Sequence, residues 1–224
     1  MKENIKNFRA YTSGYCVRNV GTSVYTGKSN YFTYLRGRSR VHLFLRRLFV
    51  RHIVKFFSGR VLDIGSGIGV FLGQYPRAIG VDTDQDCVRY CAEKGFACIR
   101  AEVQALPFRH SSFDGVLLNN VLEHLTAPDQ AFSEITRVLR DRGRLMIELP
   151  GKKGFFYDKT HVRFWGEKDI VPFLEQRNFR VIRVYYFPVP CEYAGDILTH
   201  NKLRVSAVLR KEPGGAWRPS APNA

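Results

Sequence analysis

The fold of this chain is indicated by residues 61–69, which read VLDIGSGIG. An apolar run that leads directly into glycines is typical of a buried strand ending in a tight turn before a helix. Glycines without side chains let a ligand approach the backbone. The third glycine comes one residue too early for the dinucleotide fingerprint G-x-G-x-x-G, because Val70 stands where that fingerprint needs glycine. A nicotinamide ligand is therefore disfavoured.

A second acid ends the next apolar run. Asp82 follows residues 78–81, so we expect it at the C-terminal edge of the strand that neighbours Asp63. Carboxylates at this edge suit ribose hydroxyls, and the two acids together predict a nucleoside site. The alternative is that Asp63 caps the turn and Asp82 caps the next helix.

Strand and helix signals alternate from residue 60 onwards. Strands are predicted at 60–64, 77–82, 96–100, 113–118, 143–149, 179–187 and 203–210, and helices at 68–74, 84–94, 128–139 and 167–176. A long loop follows the fifth strand as far as Trp165, and the last two strands resemble a hairpin. Strands interleaved with helices imply crossover connections. The predicted fold class is α/β: a doubly wound, mostly parallel seven-stranded sheet with an N-terminal helical extension.

The chain divides into a basic N-terminal arm with an amphipathic helix (1–57), a main domain (58–210) and a flexible tail (211–224). From Ser39 onwards, apolar residues recur at intervals of three and four, with arginines between them. They are Val41, Phe44, Leu45, Leu48, Phe49, Ile53 and Phe56.

Most of the net charge of +15 is N-terminal, since residues 1–60 hold thirteen Lys or Arg against one acid. This asymmetry indicates an anionic partner such as phosphate, nucleic acid or a membrane surface, or else a solvated basic face. Charged residues interrupt the N-terminus and every long apolar run, so neither a secretory signal nor a spanning helix is expected. The sequence predicts a cytoplasmic protein, peripheral at most to a membrane.

The five cysteines lack paired C-x-x-C spacing, which favours neither a disulfide framework nor a zinc site. Cys87 and Cys91 lie one helical turn apart, and ordinary helix packing is favoured over metal binding there. No metal is predicted.

Several blocks between residues 58 and 210 resemble, in order, the class I S-adenosylmethionine-dependent methyltransferases of the small methyltransferase-domain type. They are the glycine turn at 61–69, AEVQALPF at 101–108 and SFDGVLLNNVLEHL at 112–125. The resemblance implies a Rossmann-like methyltransferase fold and S-adenosyl-L-methionine as the cofactor. The chain departs from the family pattern at residues 139–144, where the family has a Pro-Gly-Gly turn.

The same resemblance implies roles for six cofactor-binding residues. Gly65 and Gly67 would line the methionine portion, and Asp63 would help hold its amino group through the turn. Asp82 would bind the ribose hydroxyls. Glu102 stands where the family more often has Asp against the adenine amino group, and Asn119 would be nearest the transferable methyl.

Methyl transfer from a sulfonium is an in-line displacement, so much of the catalysis can come from alignment. A hydroxyl acceptor also needs a base, whereas a carboxylate acceptor does not. The loop after the fifth strand supplies Asp158 and His161 as an oriented acid-base pair, and Arg163 to hold an anionic acceptor. His124, after the fourth strand, is a second candidate base.

Structural roles are the alternative for these residues. Asp158 and Thr160 would then cap a turn, His161 would pack beneath Trp165, and His124 would belong to the start of a helix.

Residues 158–165, DKTHVRFW, are similar to a loop in family members linked to surface-glycan and lipopolysaccharide assembly. O-methylation of a small molecule or of a sugar or lipid-linked glycan is therefore the first hypothesis, with an anionic membrane surface as a further partner. An RNA methyltransferase is the second. Against it, no RNA-binding module is recognisable, and NNVL at 119–122 differs from the Asn/Asp-Pro-Pro-Tyr/Phe box. The third is a non-catalytic cofactor-binding protein, against which the intact glycine turn and Asp82 argue.

Overall fold

A seven-stranded sheet lies at the centre of the computed structural model, which describes residues 30–198 and 201–211. Its strands are β1 (Val61–Ile64), β2 (Ala78–Asp82), β3 (Cys98–Arg100), β4 (Phe113–Asn119), β5 (Leu139–Pro150), β6 (Phe179–Phe187) and β7 (Lys202–Leu209). The order across the sheet is β3-β2-β1-β4-β5-β7-β6. Strands β1 to β5 run parallel, and β7 pairs antiparallel with both β5 and β6. The predicted doubly wound, mostly parallel sheet and its terminal hairpin are confirmed.

The helices cover both faces of this sheet. They are α1 (Asn30–Arg36), α2 (Arg40–Val54), α3 (Gln85–Glu93), α4 (Pro128–Val138), α5 (Lys152–Tyr157), α6 (Glu167–Glu175) and α7 (Ala194–Ile197). Side chains alternate between the faces of a strand. Accordingly Leu117 packs in a cluster with α2 and α3, whereas its neighbours Val116 and Leu118 pack in a cluster with α4 and α6. The strands are therefore buried on both sides.

The longest described helix, α2, has 15 residues, fewer than the roughly 20 that span a bilayer. No helix within the described ranges is long and apolar enough to cross a membrane.

Residues 68–74 form consecutive hydrogen-bonded turns, so the helix predicted there is wrong. Gly65, Gly67 and Gly69 have φ angles of 69°, 53° and 72°. These left-handed conformations prevent a right-handed helix from starting before residue 70. The predicted loop after β5 contains the short helix α5, and the described part of the N-terminal arm contains the short helix α1.

Helix α2 begins directly after Ser39, as predicted, but its apolar residues divide between two faces. Val50 and Ile53 are 2% and 1% exposed, whereas Val41 and Phe44 are 68% and 60% exposed. At about 100° per residue, the nine positions from Phe44 to Ile53 place them on opposite sides of the helix. The prediction of one apolar face is therefore wrong for the first half of α2.

Candidate active site

The parallel strands bring their carboxyl ends to one edge of the sheet, where ligands bind in this kind of fold. This edge collects all the residues that the sequence assigned to the cofactor. Asp63 lies near the end of β1, Gly65 and Gly67 follow that strand, Asp82 ends β2, Glu102 lies two residues beyond β3, and Asn119 ends β4.

Asp82 ties the glycine turn to β2. Its Oδ2 accepts a hydrogen bond from the N–H of Gly67 at 2.7 Å, and its Oδ1 accepts one from the N–H of Asp84 at 2.9 Å. A carboxylate offers about four acceptor positions, so both oxygens can still accept from ribose hydroxyls. Burial raises the pKa of Asp82 although these two hydrogen bonds oppose the rise. Helix α3 is capped by Asp84 and not by Asp82.

Asp63 lies beneath the glycine turn and is 3% exposed. Burial raises its pKa to about 8, the positive charge of Arg46 opposes this shift, and the nearby Asp82 adds to it. Arg46 shares the buried side of α2 with Val50 and Ile53, and its charge also acts on Glu148. Arg46 therefore faces the cleft, although the sequence grouped it with the arginines available to an external partner.

Helix α1 covers the glycine turn. A Cβ on Gly67 would lie 3.1 Å from Cδ1 of Leu35 and 3.8 Å from the hydroxyl oxygen of Tyr31. Phe32 and Leu35 pack with Cys87 of α3.

The thiol of Cys91 instead lies 3.3 Å from the carbonyl oxygen of Gly67, to which it donates. The two cysteines thus have separate packing roles.

Asn119 and Gln104 carry buried acceptors without a hydrogen-bond partner in the described part of the chain. The atoms are Oδ1 of Asn119, at the end of β4, and Oε1 of Gln104, in the segment after β3. An unsatisfied buried acceptor costs about 1–3 kcal/mol, so a ligand with amino groups would stabilise both. These two acceptors fit the amino groups of the expected cofactor. Gln104 was not singled out from the sequence, where it is one polar residue among others.

A cluster of four titratable side chains lies beyond the ends of β4 and β5. Glu123 and His124 belong to a 3₁₀ turn, Leu122–His124, while Asp158 and His161 follow α5. Nε2 of His161 lies 3.8 Å from Oε1 of Glu123 and 4.0 Å from Oδ2 of Asp158. The ring centroids of His124 and His161 are 4.6 Å apart. The structure thus brings the three predicted catalytic residues together and adds Glu123, which the sequence analysis missed.

A hydrogen bond determines which tautomer the neutral imidazole of His161 adopts. Nδ1 lies 2.8 Å from the carbonyl oxygen of Phe155 and must donate to it. Nε2 then carries the lone pair and faces Glu123 and Asp158. The ring stacks on Phe155 at a centroid distance of 5.3 Å, whereas Trp165 packs against Phe173 and beneath Arg163. The ring of His161 therefore packs on Phe155 and not beneath Trp165.

Asp158 has a structural role beside its place in the cluster. Its Oδ1 accepts from the N–H and the hydroxyl of Thr160 at 2.9 and 2.6 Å, which is the turn cap that the alternative expected. Partial burial opposes ionisation, but these hydrogen bonds outweigh it and lower the pKa of Asp158. His124 lies beside the same Thr160, and burial together with the nearby His161 lowers the pKa of His124.

Glu123 is fully buried, and burial raises the pKa of its side chain to about 8. Within the described residues, neither of its carboxylate oxygens has a hydrogen-bond partner. Its backbone carbonyl accepts from the N–H groups of Val162 and Arg163 at 2.9 and 3.3 Å. Backbone hydrogen bonds therefore hold the 3₁₀ turn against the loop that carries His161.

A buried ion network holds Asn120, which lies between the end of β4 and the 3₁₀ turn. Nζ of Lys202 lies 2.6 Å from Oε1 of Glu148 and 2.6 Å from Oδ1 of Asn120. Nε of Arg204 lies 2.6 Å from Oε2 of Glu148. Burial alone would raise the pKa of Glu148, but the charges of Lys202 and Arg204 outweigh it and lower the pKa to about 2. Glu148 is therefore ionised at neutral pH.

A cleft opens beside this loop, between the end of β5 and β6. Three aromatic side chains and two carboxylates line it: Phe164, Trp165, Tyr186, Glu192 and Asp196. Lys152 of α5 lies at the same cleft. The lining combines aromatic residues with hydrogen-bond acceptors.

Comparison with known proteins agrees with this arrangement. A family model described as a methyltransferase domain matches residues 62–147. An uncharacterized protein of Methanocaldococcus jannaschii is 30% identical over 146 residues, which cover 59% of this chain and 69% of that protein. The chain spans about half (51%) of the length of several further relatives, uncharacterized proteins of mycobacteria.

A solved S-adenosylmethionine-dependent methyltransferase from Archaeoglobus fulgidus has a TM-score of 0.66 at 21% identity, covering 80% of this chain and all of that one. At this identity the likeness concerns the fold. A tRNA (carboxymethyluridine(34)-5-O)-methyltransferase of Arabidopsis thaliana is 32% identical over 94 residues, which cover 40% of this chain and 23% of that protein.

Proposed function

Because the chain belongs to the class I S-adenosylmethionine-dependent methyltransferase family, we propose that it methylates a hydroxyl oxygen of a small molecule or of a sugar in a lipid-linked glycan. The cofactor supplies a methyl group on a positively charged sulfur. The chain itself must align the acceptor and take up the hydroxyl proton. The observation that carries this proposal is the lone pair on Nε2 of the buried His161.

The residues at the sheet edge would hold the cofactor. Asp82 accepts from the ribose hydroxyls with the positions that Gly67 and Asp84 leave open. Asn119 accepts from an amino group with its unpartnered Oδ1. Gly65 and Gly67 would line the methionine portion, above Asp63.

The adenine end of the cofactor belongs with the segment after β3. There Glu102 would accept from the adenine amino group, and the neighbouring Gln104 has an unpartnered Oε1 for a second donor.

His161 is the proposed base. Its Nε2 accepts the hydroxyl proton, and the Nδ1 hydrogen bond to Phe155 keeps the ring in the required tautomer. The ionised Asp158, at 4.0 Å, stabilises the resulting imidazolium. His124 is the second candidate base, since burial keeps its ring neutral. A carboxylate acceptor would need neither imidazole, and the cluster therefore favours a hydroxyl.

The cleft beside the loop is the proposed acceptor site. Phe164 and Tyr186 can pack against the C–H groups of a sugar at the mouth of this cleft, and Glu192 and Asp196 can accept from its hydroxyls. Asp196 pairs with Lys152 at 3.7 Å, which leaves Glu192 as a negative charge at this cleft that would disfavour a phosphate beside it. A neutral, hydroxyl-rich portion of the acceptor therefore suits this cleft best.

The exposed face of α2 would recruit the acceptor at an anionic surface. Val41, Phe44 and Leu45 are exposed there, together with Arg47 and Arg51. Apolar and basic side chains on one helix face suit the surface of an anionic membrane. A lipid-linked acceptor would be met at that surface.

RNA methylation is the second candidate function, supported by the similarity to the tRNA methyltransferase of Arabidopsis thaliana and by the N-terminal arginines. Those arginines would then bind phosphates, with strong salt dependence.

The experiment is to incubate the pure protein with radiolabelled cofactor and fractionated cell extract. We expect label in a glycan, lipid or small-molecule fraction. Label in RNA alone would replace the first candidate by the second. Cofactor binding without label in any fraction would indicate a protein that binds the cofactor without catalysis.

A further inference from the structure

Three side chains of the cluster have the composition of a metal site. Glu123, His124 and His161 each offer one ligand atom, and these atoms all lie within 4.8 Å of one another. Bonds to a divalent ion are about 2.0–2.2 Å long, which places the ligand atoms of a tetrahedral site about 3.3–3.6 Å apart. The 3.8 Å between Nε2 of His161 and Oε1 of Glu123 is close to this spacing, and the longest separation in the cluster would have to shorten by at most roughly 1.3 Å to enclose an ion.

The carboxylate of Glu123 gives independent evidence for binding of a cation. Its side chain is 1% exposed, and neither oxygen has a hydrogen-bond partner within residues 30–198 and 201–211. Buried carboxylates in proteins are normally paired, hydrogen-bonded or bound to metal. The nearest imidazole nitrogen, Nε2 of His161, is 3.8 Å away, too far for a hydrogen bond and suitable for an ion between them.

The histidines are already oriented as metal ligands usually are. A ligating imidazole donates its other ring N–H to a carbonyl or a carboxylate. Nδ1 of His161 donates to the carbonyl of Phe155, and Nδ1 of His124 lies 3.3 Å from the carbonyl of Thr160. Each ring can therefore direct Nε2 as a lone-pair donor.

We infer that Glu123, His124 and His161 bind one divalent first-row transition-metal ion. Two imidazoles and one carboxylate suit zinc, manganese, cobalt or iron, whereas magnesium and calcium prefer oxygen ligands. The sequence predicted no metal, because Glu123 and His124 are adjacent and His161 lies in a separate loop, a spacing that differs from paired motifs such as C-x-x-C and H-E-x-x-H.

Three protein ligands leave coordination positions open for an oxygen of the acceptor. A hydroxyl bound to the ion loses its proton more easily, and that proton leaves to water. In the metal-loaded protein the ion thus takes over the task of His161, whose lone pair it occupies. This last step rests on the proposed function, but binding of the ion does not.

The test is titration calorimetry of protein stripped with a chelator, using zinc, manganese, cobalt and magnesium chlorides without cofactor or acceptor. We expect one transition-metal ion per chain, bound more tightly than magnesium. Glu123→Gln and His161→Ala should each weaken binding by more than about tenfold. His110→Ala, which removes an exposed imidazole outside the cluster, should leave binding unchanged.

Three results would overturn the inference: no stoichiometric binding, equal binding by Glu123→Gln and wild type, or a thiolate charge-transfer band with cobalt, which would place the ion on cysteines. Circular dichroism checks folding, and His124→Ala, which alters a half-buried ring, replaces His161→Ala if that variant unfolds. A protein that binds the ion yet methylates nothing would contradict the proposed function alone. Full turnover by a protein that binds no ion would contradict this inference alone.

Discussion

Nε2 of His161 lies 3.8 Å from Oε1 of Glu123, and these side chains are 5% and 1% exposed. They come from different segments, the loop after α5 and the turn after β4, and the backbone hydrogen bond from Val162 to Glu123 holds those segments together. The acid-base cluster is therefore a product of the tertiary structure. Its parts are joined by the parallel pairing of β4 with β5.

Replacing the proposed base tests this cluster. His161→Ala should lower turnover by a factor on the order of a hundred or more, because Nε2 no longer accepts the hydroxyl proton. Cofactor affinity, measured by calorimetry, should stay nearly unchanged. His110→Ala serves as the matched control. If His161→Ala retains full turnover and His124→Ala does not, His124 is the base.

Asp82 is expected to dominate cofactor affinity. Asp82→Ala should weaken S-adenosylmethionine binding by about 2–3 kcal/mol, because both ribose hydroxyls lose a charged acceptor. Calorimetry measures this change, with the exposed Glu93→Gln on α3 as the control. Unchanged affinity in a folded Asp82→Ala variant would remove Asp82 from the site.

Glu148→Gln should destabilise the fold by about 3 kcal/mol at pH 7, because it leaves Lys202 and Arg204 without their buried counter-charge. The folded pKa of Glu148, about 2, is below its ordinary value of 4.5. The stabilisation is therefore present above pH 4.5 and is lost as the pH falls towards 2. Urea unfolding at several pH values should show the wild type approaching the variant over that window.

The exposed Glu175→Gln should have little effect on unfolding at any of these pH values. A Glu148→Gln variant as stable as wild type at pH 7 would show that this network adds nothing to the fold.

Substitutions can distinguish the role of the exposed arginines of α2 from that of Arg46, which faces the cleft. Arg47→Gln with Arg51→Gln should weaken binding to anionic vesicles by about 2 kcal/mol, since each basic residue contributes roughly 1 kcal/mol. Arg46→Gln should affect vesicle binding less, because Arg46 faces Asp63. Wild type that ignores vesicles but binds RNA with a steep salt dependence would favour RNA methylation.

The sheet and its cofactor edge could be predicted from the sequence because both depend on local patterns. A buried strand before the glycine turn and an acid at the end of the next strand fix where Asp63 and Asp82 lie. Other features depend on packing between distant segments. The cover of Leu35 over Gly67 and the division of α2 into two apolar faces have no local signal.

Two further outcomes show why the cluster and the glycine turn were predicted less well. Glu123 was missed because a single glutamate among apolar residues is common in an ordinary turn. Its burial results from the loop that packs on it, which the local sequence does not show. The helix at 68–74 was predicted from composition, but the left-handed glycines delay any helical start. Residues 1–29 and 212–224, where the basic arm and the tail were predicted, lie outside the described residues.

The central claim is methyl transfer from S-adenosylmethionine to a hydroxyl oxygen. Its most direct test uses cofactor labelled with ¹³C in the transferable methyl group and the acceptor fraction that takes up label. Carbon–proton correlation NMR of the product identifies the atom that receives the methyl group. At subsaturating cofactor, the account predicts an O-methyl ether resonance that is weakened with Asp82→Ala and strongly reduced with His161→Ala. A labelled methyl group on nitrogen, carbon or sulfur would contradict it.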